Sequence, residues 1–221
     1  MTSFAAELLS RGTTALADSG GRAMAPRIHA VWAGAMVAGP ALTVHCEPGD
    51  NLAIHVAVAS APAGSVLVVD ASSEPDHGYF GEVLTTAAQA RGLAGLVIDG
   101  GVRDSLALER LRFPVFATGV AITAATKVRG GSSGEPVDVG DVRVNAGDWV
   151  VADADGVTVV AAADLDRVQA DATERLERER TTLARLRAGE TTVTVLELDP
   201  SRVSRATPLT AGDARRGAMP R

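Results

Sequence analysis

The sequence predicts an α/β fold built on a central mixed sheet, and three observations lead there. Val66–Asp70 (VLVVD) and Ala94–Asp99 (AGLVID) are unbroken apolar runs of strand length. Between them Phe80, Val83, Leu84, Ala87 and Ala88 recur at helical spacing, which makes a β-α-β unit with parallel strands. Farther on, Val137–Val144, Trp149–Asp153 and Val157–Ala161 are separated by Asn-Ala-Gly-Asp and Ala-Asp-Gly turns and read as β-hairpins.

The remaining elements follow in chain order. Phe4–Ala17 reads as one amphipathic helix, stopped by Asp18-Ser19-Gly20-Gly21. Ala23–Ile28 holds Pro26 and reads as irregular. Val31–Ala38 and Ala41–Cys46 are strand-like, with Pro40 at a turn between them because proline cannot donate in a ladder. Asn51–Ser60 reads as a helix, although its alternation also permits a strand. Ala71–Tyr79 is a polar loop, and Ser105–Leu111 a helix leading to a short buried strand, Val115–Ala117. Arg129–Gly134 lacks the Gly-Lys-Ser/Thr ending of a phosphate loop and reads as surface loop. Asp164–Ala188 is the longest helix, ended by Gly189. Thr191–Asp199 alternates in part like an edge strand or arm, and Pro200–Arg221 reads as weakly ordered. These readings place one domain at 1–190 and an arm with a tail at 191–221.

Composition narrows the function. Aromatic residues are only 3%, so a 221-residue core must be built from small aliphatic side chains. A net charge of -6 gives no basic footprint for nucleic acid. The single cysteine, Cys46, lies in an apolar run and reads as an inert buried thiol. Neither a secretory leader nor a run of about 18 apolar residues is found. The expectation is a cytoplasmic, soluble protein that binds neither nucleic acid nor membrane.

Both loops that leave the paired strands emerge at the carboxyl edge of the sheet, where ligands of open α/β sheets bind. One delivers Glu82 in the opening turn of its helix, the other Arg103 and Asp104 after Gly100-Gly101. Two carboxylates and a guanidinium at one crevice suit magnesium or manganese together with an anionic substrate. Free backbone N–H groups at Gly81, Glu82 and Val83 add an anion site at a helix N-terminus. The same residues also admit a structural reading: Asp104 as a helix cap, Glu82 beside its own helix dipole, Arg103 paired with either.

Three further observations bear on the site. Lys127 is the only lysine among 21 basic side chains, which suggests a place that wants a compact ammonium; chance retention is the alternative. Glu179 falls on the stripe of Leu165, Val168, Ala172, Leu176, Leu183 and Leu186, where an acid needs a partner. His45 and His55 lie among apolar neighbours and read as structural, while His77 lies in the polar loop, where it could reach a substrate, although a solvated loop histidine is the commoner case.

The stretch GEVLTTAAQARGLAGLVIDGGVRD resembles the signature of the family of class II pyruvate aldolases that act on 4-hydroxy-4-methyl-2-oxoglutarate and 4-carboxy-4-hydroxy-2-oxoadipate, which also contains the regulator of ribonuclease activity A. Gly39–Val44, Gly49-Asp50-Asn51, Ala63–Asp70 and Arg187–Glu190 extend the resemblance over roughly Ala5 to Glu190. It implies a layered α/β/α fold of the swivelling-domain type and a homotrimer or homohexamer. It also implies metal-dependent cleavage of a 4-hydroxy-2-oxo acid to release pyruvate, with oxaloacetate decarboxylation as a secondary activity. By the resemblance Asp104 holds a divalent magnesium or manganese ion, and Glu82 replaces an aspartate bonded to water on the metal. Arg103 contacts the pyruvyl oxygen, Lys127 lies near substrate, and Glu179 completes the site of an adjacent subunit.

The resulting catalytic set is Arg103, Glu82 and Glu179, and the metal ligand is Asp104. The substrate-binding set is Gly81, Glu82, Val83, Leu84, Arg103 and Lys127. The rival from another class is a non-catalytic protein that binds and inhibits an endoribonuclease, which needs neither acid on the site loops. A methyltransferase reading lacks a glycine-rich nucleotide loop after the first strand.

Overall fold

A computed structural model of the chain describes residues 3–204, which divide into two compact units, the first running to Leu176 and the second starting at Glu177. The chain enters through helices α1 (Ser3–Arg11) and α2 (Thr13–Asp18) and strands β1 (Arg22–Ala23) and β2 (His29–Ala30). The central framework follows: β3 (Val37–Cys46), α3 (Leu52–Ser60), β4 (Val66–Glu74), β5 (His77–Gly78), α4 (Glu82–Ala90), β6 (Gly95–Val102), α5 (Ser105–Arg110) and β7 (Val115–Ala117). Short strands β8 (Gly119–Val120), β9 (Thr123–Ala124) and β10 (Gly131–Ser133) come next. The hairpins β11 (Val137–Val139) with β12 (Val142–Val144), and β13 (Trp149–Asp153) with β14 (Gly156–Val160), complete the strands.

Among the described residues ten strands form one sheet, ordered β1-β14-β13-β3-β4-β6-β7-β2, with β10 beside β3 and β8 beside β6. The central strands β3, β4, β6 and β7 are parallel, and β13, β14, β1 and β2 join antiparallel. The architecture is therefore α/β around a central mixed sheet. Alternation along the strands sends Val44, Val69 and Ile98 to a core shared with Ile54, Leu84 and Leu108 of α3, α4 and α5. It sends Val68, Val97 and Val150 to a second core under the β11–β12 hairpin. A third cluster joins Leu8 and Leu16 of α1 and α2 to Val151, Val160 and Val168.

The hairpin is pinned by a buried charge. Asp99 of β6 accepts from Arg27 Nη2 at 2.8 Å, from Arg27 Nε at 3.2 Å and from the Gly140 N–H at 2.8 Å. Arg27 also forks onto Asp141, so two carboxylates share one guanidinium at the hairpin turn. Such geometry, with each oxygen bonded, is what makes a buried carboxylate tolerable.

Several elements differ from the sequence expectation, each for a physical reason. The first helix is broken at Gly12, whose φ of 78° lies in the left-handed region, and Thr13 restarts it with its N–H and hydroxyl held by Asp153. Gly39-Pro40 is not a turn: β3 runs through it, and Val31–Met36 is not a strand. Pro40 faces Trp149 at the last step of the antiparallel register, and Ala41 begins the parallel register with Val66, so the missing N–H falls at the hand-over. The segment from Asn51 is a helix beginning at Leu52. Strand β4 continues into the expected loop as far as Glu74. Gly131–Ser133 is not surface loop but strand β10, paired with Val44–Cys46.

Helix α6 (Leu165–Arg187) carries the chain into the second unit, where Arg185 forks onto Glu190 at 2.6 and 2.9 Å. The expected strand over Thr191–Asp199 is instead a helical turn, α7 (Thr192–Val195), because the Thr191 hydroxyl caps the Thr194 N–H. A 3-10 turn follows at Pro200–Arg202, and most of the expected tail lies outside the described residues. Among the described residues no helix is long and apolar enough to cross a membrane.

Arg27→Ala leaves Asp99 buried with a single N–H donor. A loss of about 2–4 kcal/mol is expected in urea unfolding; a change below about 0.5 kcal/mol would remove the hairpin clamp from the account of stability.

Candidate functional site

The site forms where the chain leaves the carboxyl ends of β4 and β6. Tyr79 donates its N–H to the Gly101 carbonyl at 3.0 Å, and Arg103 donates its N–H to the Phe80 carbonyl at 2.8 Å. These bonds zip the entry to α4 onto the end of β6, bringing Glu82 and Arg103 onto adjoining segments. Gly81 has to be glycine for space: a Cβ there would run into the Asp104 carboxylate and the Arg103 stem.

Asp104 adopts φ 56° and ψ 38°, a left-handed conformation uncommon outside glycine. Its side chain does not cap its own helix; its Oδ2 instead accepts from the Glu82 N–H at 3.0 Å, at the start of α4. Arg103 Nε lies 3.7 Å from the same oxygen. The Glu82 carboxylate turns to Arg110, whose Nη2 donates to it at 2.7 Å. Both acids are about half exposed.

Beside this pair lies a cleft of about 230 Å³ walled by Asn51, His55, Gly78, Tyr79, Gly81, Val83, Leu84, Arg103 and Lys127. The structure thus brings Gly81, Val83, Leu84, Arg103 and Lys127 together, and sets Glu82 and Asp104 next to these walls rather than among them. Glu179 is exposed on α6 in the second unit. Buried positions on the α6 stripe are confined to Val168 and Ala172.

Lys127 owes its place to Asp50, which is fully buried. The Asp50 carboxylate accepts from the Val128 N–H at 2.6 Å, the Thr126 hydroxyl at 2.7 Å, the Leu52 N–H at 2.9 Å and the Arg129 N–H at 3.1 Å. Burial by itself would push its pKa up, but these four bonds overcome it and hold the group well below the usual carboxylate range. One side chain therefore caps α3 and grips the loop on both sides of Lys127.

Tyr79 is a post rather than an acid. Its hydroxyl donates to Glu74 at 2.6 Å and accepts from the Gly49 N–H at 2.7 Å, and burial, then the Glu74 bond, raises its pKa. His45 is structural, paired with Asp70 at 2.9 Å. Burial pushes the Cys46 thiol up to about 12, so it stays unreactive. His55, read from the sequence as structural, is a cleft wall; burial and then Lys127 lower its pKa, so it is neutral near pH 7. Asn51, Gly78 and Tyr79 are the other walls that sequence reasoning missed. Asn51 and His55 stand one helical turn apart, and two polar residues at that spacing on an apolar helix were the available signal.

Among the described residues no group of three or more His, Cys, Asp or Glu side chains is arranged to hold a metal. The donors present, one half-exposed carboxylate at Asp104 with Glu82 beside it, fit a hard cation that keeps most of its water, not a zinc cage. A larger groove of about 660 Å³ opens at the opposite edge, near the amino ends of β4, β6 and β7. Its one ionisable wall is Arg112, and it lacks the convergent polar groups of a reaction site.

Asp50→Asn orphans donors and is expected to cost about 2–4 kcal/mol. Because the folded pKa is depressed, the aspartate's contribution is fully present above its unfolded value of about 3.9 and is lost as pH falls through the folded value. Urea unfolding between pH 6 and pH 2 should therefore show a shallower acid loss in Asp50→Asn than in the parent. Parallel curves would show that Asp50 is not a source of the acid sensitivity.

Residues 13–159 match the profile of the RraA-like family described as Aldolase/RraA. A protein of Halalkalibacterium halodurans named "Putative 4-hydroxy-4-methyl-2-oxoglutarate aldolase" is 41% identical over 124 residues, which are 56% of this chain and 59% of that relative, less than two thirds of its length. An uncharacterized protein from Pseudomonas syringae pv. tomato superposes with a TM-score of 0.80 at 26% identity, covering 88% of this chain and 93% of the other. The RNA-processing inhibitor RraA from Thermus thermophilis superposes with a TM-score of 0.62 at 28% identity, covering 67% of this chain and 91% of the other. With the family profile covering well over half of its length, the chain belongs to the Aldolase/RraA family.

Proposed function

We propose that this protein cleaves a 4-hydroxy-2-oxo acid by a metal-dependent retro-aldol reaction that releases pyruvate, and that it also decarboxylates oxaloacetate. The observation that carries this reading is the convergence of Arg103, Lys127 and the first turn of α4 on one small cleft, with the Asp104 carboxylate at its edge. About 230 Å³ is below the usual range for drug-sized ligands and suits a compact acid. Relatives bearing an aldolase name support the same class of chemistry.

Asp104 would hold a magnesium or manganese ion, with Glu82 beside it. When bound, that ion supplies Lewis acidity toward the 2-oxo acid. The chain's own groups do the rest. Arg103 presents a planar fork to the pyruvyl oxygens, and backbone N–H groups at the start of α4 add donors. In the cleavage step the C4 hydroxyl loses its proton, the C3–C4 bond breaks, and its electron pair becomes the enolate of pyruvate. Arg103 and Lys127 place positive charge where that enolate develops, the condition under which preorganised groups lower a barrier. Glu82, and Glu179 from a neighbouring copy in a trimer or hexamer, are the carboxylates we assign to proton transfer.

A second reading, binding of a partner that processes RNA, is favoured by the likeness to the Thermus inhibitor. Assaying pyruvate release from several 4-hydroxy-2-oxo acids with magnesium, manganese or chelator separates the two: a wild-type protein that cleaves none of them leaves the binding reading in place.

Two substitutions test the residues. Asp104→Ala should abolish metal-dependent pyruvate release while costing only about 1 kcal/mol of stability, the worth of the α4 cap it supplies. Retained magnesium-dependent activity would remove Asp104 from the metal. Arg103→Lys keeps the charge but loses the fork, and kcat/KM should fall by the equivalent of about 2–4 kcal/mol. Equal rates would assign Arg103 a structural role.

A further inference from the structure

The groove at the amino ends of β4, β6 and β7 has the size and the walls of a small-molecule site. Its volume of about 660 Å³ lies inside the range of pockets that enclose a ligand. The walls are recessed: Ala5, Val37, Ala38 and Leu93 are buried, and of the large apolar side chains that border the groove only Met36 stands out, at 48% exposure. Phe4 and Trp149 close one side with their rings packed edge to face, centroids 4.8 Å apart. Gly64 leaves its part of the lining bare, since a Cβ there would meet nothing within 4 Å. Recessed apolar walls accept a body that inserts, rather than a flat protein face.

One charge overlooks this surface. Arg112 follows α5 with φ 54°, its N–H bonded to the Glu109 carbonyl at 2.9 Å and the Phe113 N–H bonded to the Leu108 carbonyl at 3.2 Å. That helix ending ordinarily takes glycine, so local backbone preference does not explain an arginine. Its guanidinium carbon lies 5.8 Å from the centre of the Trp32 ring, and Trp32 is itself fixed by Nε1 donating to the Phe113 carbonyl at 2.9 Å. Among the described residues no carboxylate pairs with Arg112, whereas Arg110, two positions earlier, is held by Glu82. An oriented guanidinium with its donors unused is matched by a carboxylate. A single cation among apolar walls admits one negative charge, because a second would be enclosed without a partner.

We propose that this groove binds a monocarboxylic acid with an apolar body, the body against Phe4, Leu93 and Trp149 and the carboxylate on Arg112. The site lies at the other end of the parallel strands from the cleft and does not depend on the reaction proposed there.

The chain supplies its own reporter. It has two tryptophans, Trp149 in the groove wall and Trp32 under Arg112, and neither borders the cleft. Octanoate is the probe, with octanamide as its uncharged counterpart and pyruvate as a compact acid. Tryptophan fluorescence of the wild type should change saturably with octanoate, and pyruvate should neither mimic nor displace it. Octanoate should bind about tenfold more tightly than octanamide. Arg112→Gln should abolish that preference while octanamide still binds, which shows that the groove remains folded. Ala63→Phe, at an exposed position of the lining, should weaken both ligands by filling the space. The proposal is overturned by no saturable response in the wild type, by an unchanged octanoate preference in Arg112→Gln, by undiminished binding in Ala63→Phe, or by displacement with pyruvate. An octanoate-dependent change in sedimentation also overturns it, by making the groove a contact between copies of the chain.

Discussion

The site depends on one buried carboxylate. Asp50 lies at the join between β3 and α3, yet three of its four bonds go to residues Thr126, Val128 and Arg129, far along the chain. It turns a segment of small and hydroxyl residues into a fixed wall and leaves Lys127 projecting from it. The bonds that depress its pKa are the bonds that hold the wall, so the electrostatics and the geometry of this part of the cleft have a single origin. The Asn51 N–H to Thr126 carbonyl bond and the Thr126 N–H to Gly49 carbonyl bond reinforce the same contact.

The opposite wall is assembled on the same economy of space. Gly78 and Gly81 let the chain pass against the Arg103 stem, with no room for a side chain at either position. Asp104 takes a left-handed backbone conformation there and gives its Oδ2 to the α4 start, leaving the rest of its carboxylate on the solvent side. A non-glycine residue held in that conformation beside a cleft is what a functional constraint looks like. It also shows that the capping role and the proposed metal role are not exclusive: one oxygen of Asp104 is used by the protein, and the group remains half exposed.

These walls meet because the parallel strands are in register. Asp70 pairs with Asp99 and His45 with Asp70 in the ladder, so β3, β4 and β6 run side by side to that level and release their loops at the same edge of the sheet. The hairpin β11–β12 covers the other face and is clamped by Arg27 on Asp99, one position before the Gly100-Gly101 pair that begins the site loop. Rigidity at the sheet is thus passed to the residues that line the cleft.

The β-α-β unit, the mixed sheet, the hairpins, and the meeting of the Gly81 and Arg103 segments at one edge of the sheet were legible from sequence. They follow from local apolar periodicity and from the handedness of a crossover, both of which are properties of contiguous residues. Leu84 entered the substrate-binding set only through the family resemblance, and Lys127 through being the single lysine together with that resemblance. Residues whose roles depend on distant partners were not legible. Pro40 reads locally as a turn, and only the exchange of antiparallel for parallel neighbours explains a strand running through it. Gly131–Ser133 has no strand propensity of its own and becomes one because the edge of β3 offers unpaired backbone groups. Asn51 and His55 sit in an apolar helix that local pattern assigns wholly to the core, and the cleft beside them exists only because Asp50 draws in a loop more than seventy residues away. Apolar periodicity lies in the order of neighbouring side chains, whereas hydrogen-bond partners across the fold are chosen only when the sheet brings them within reach.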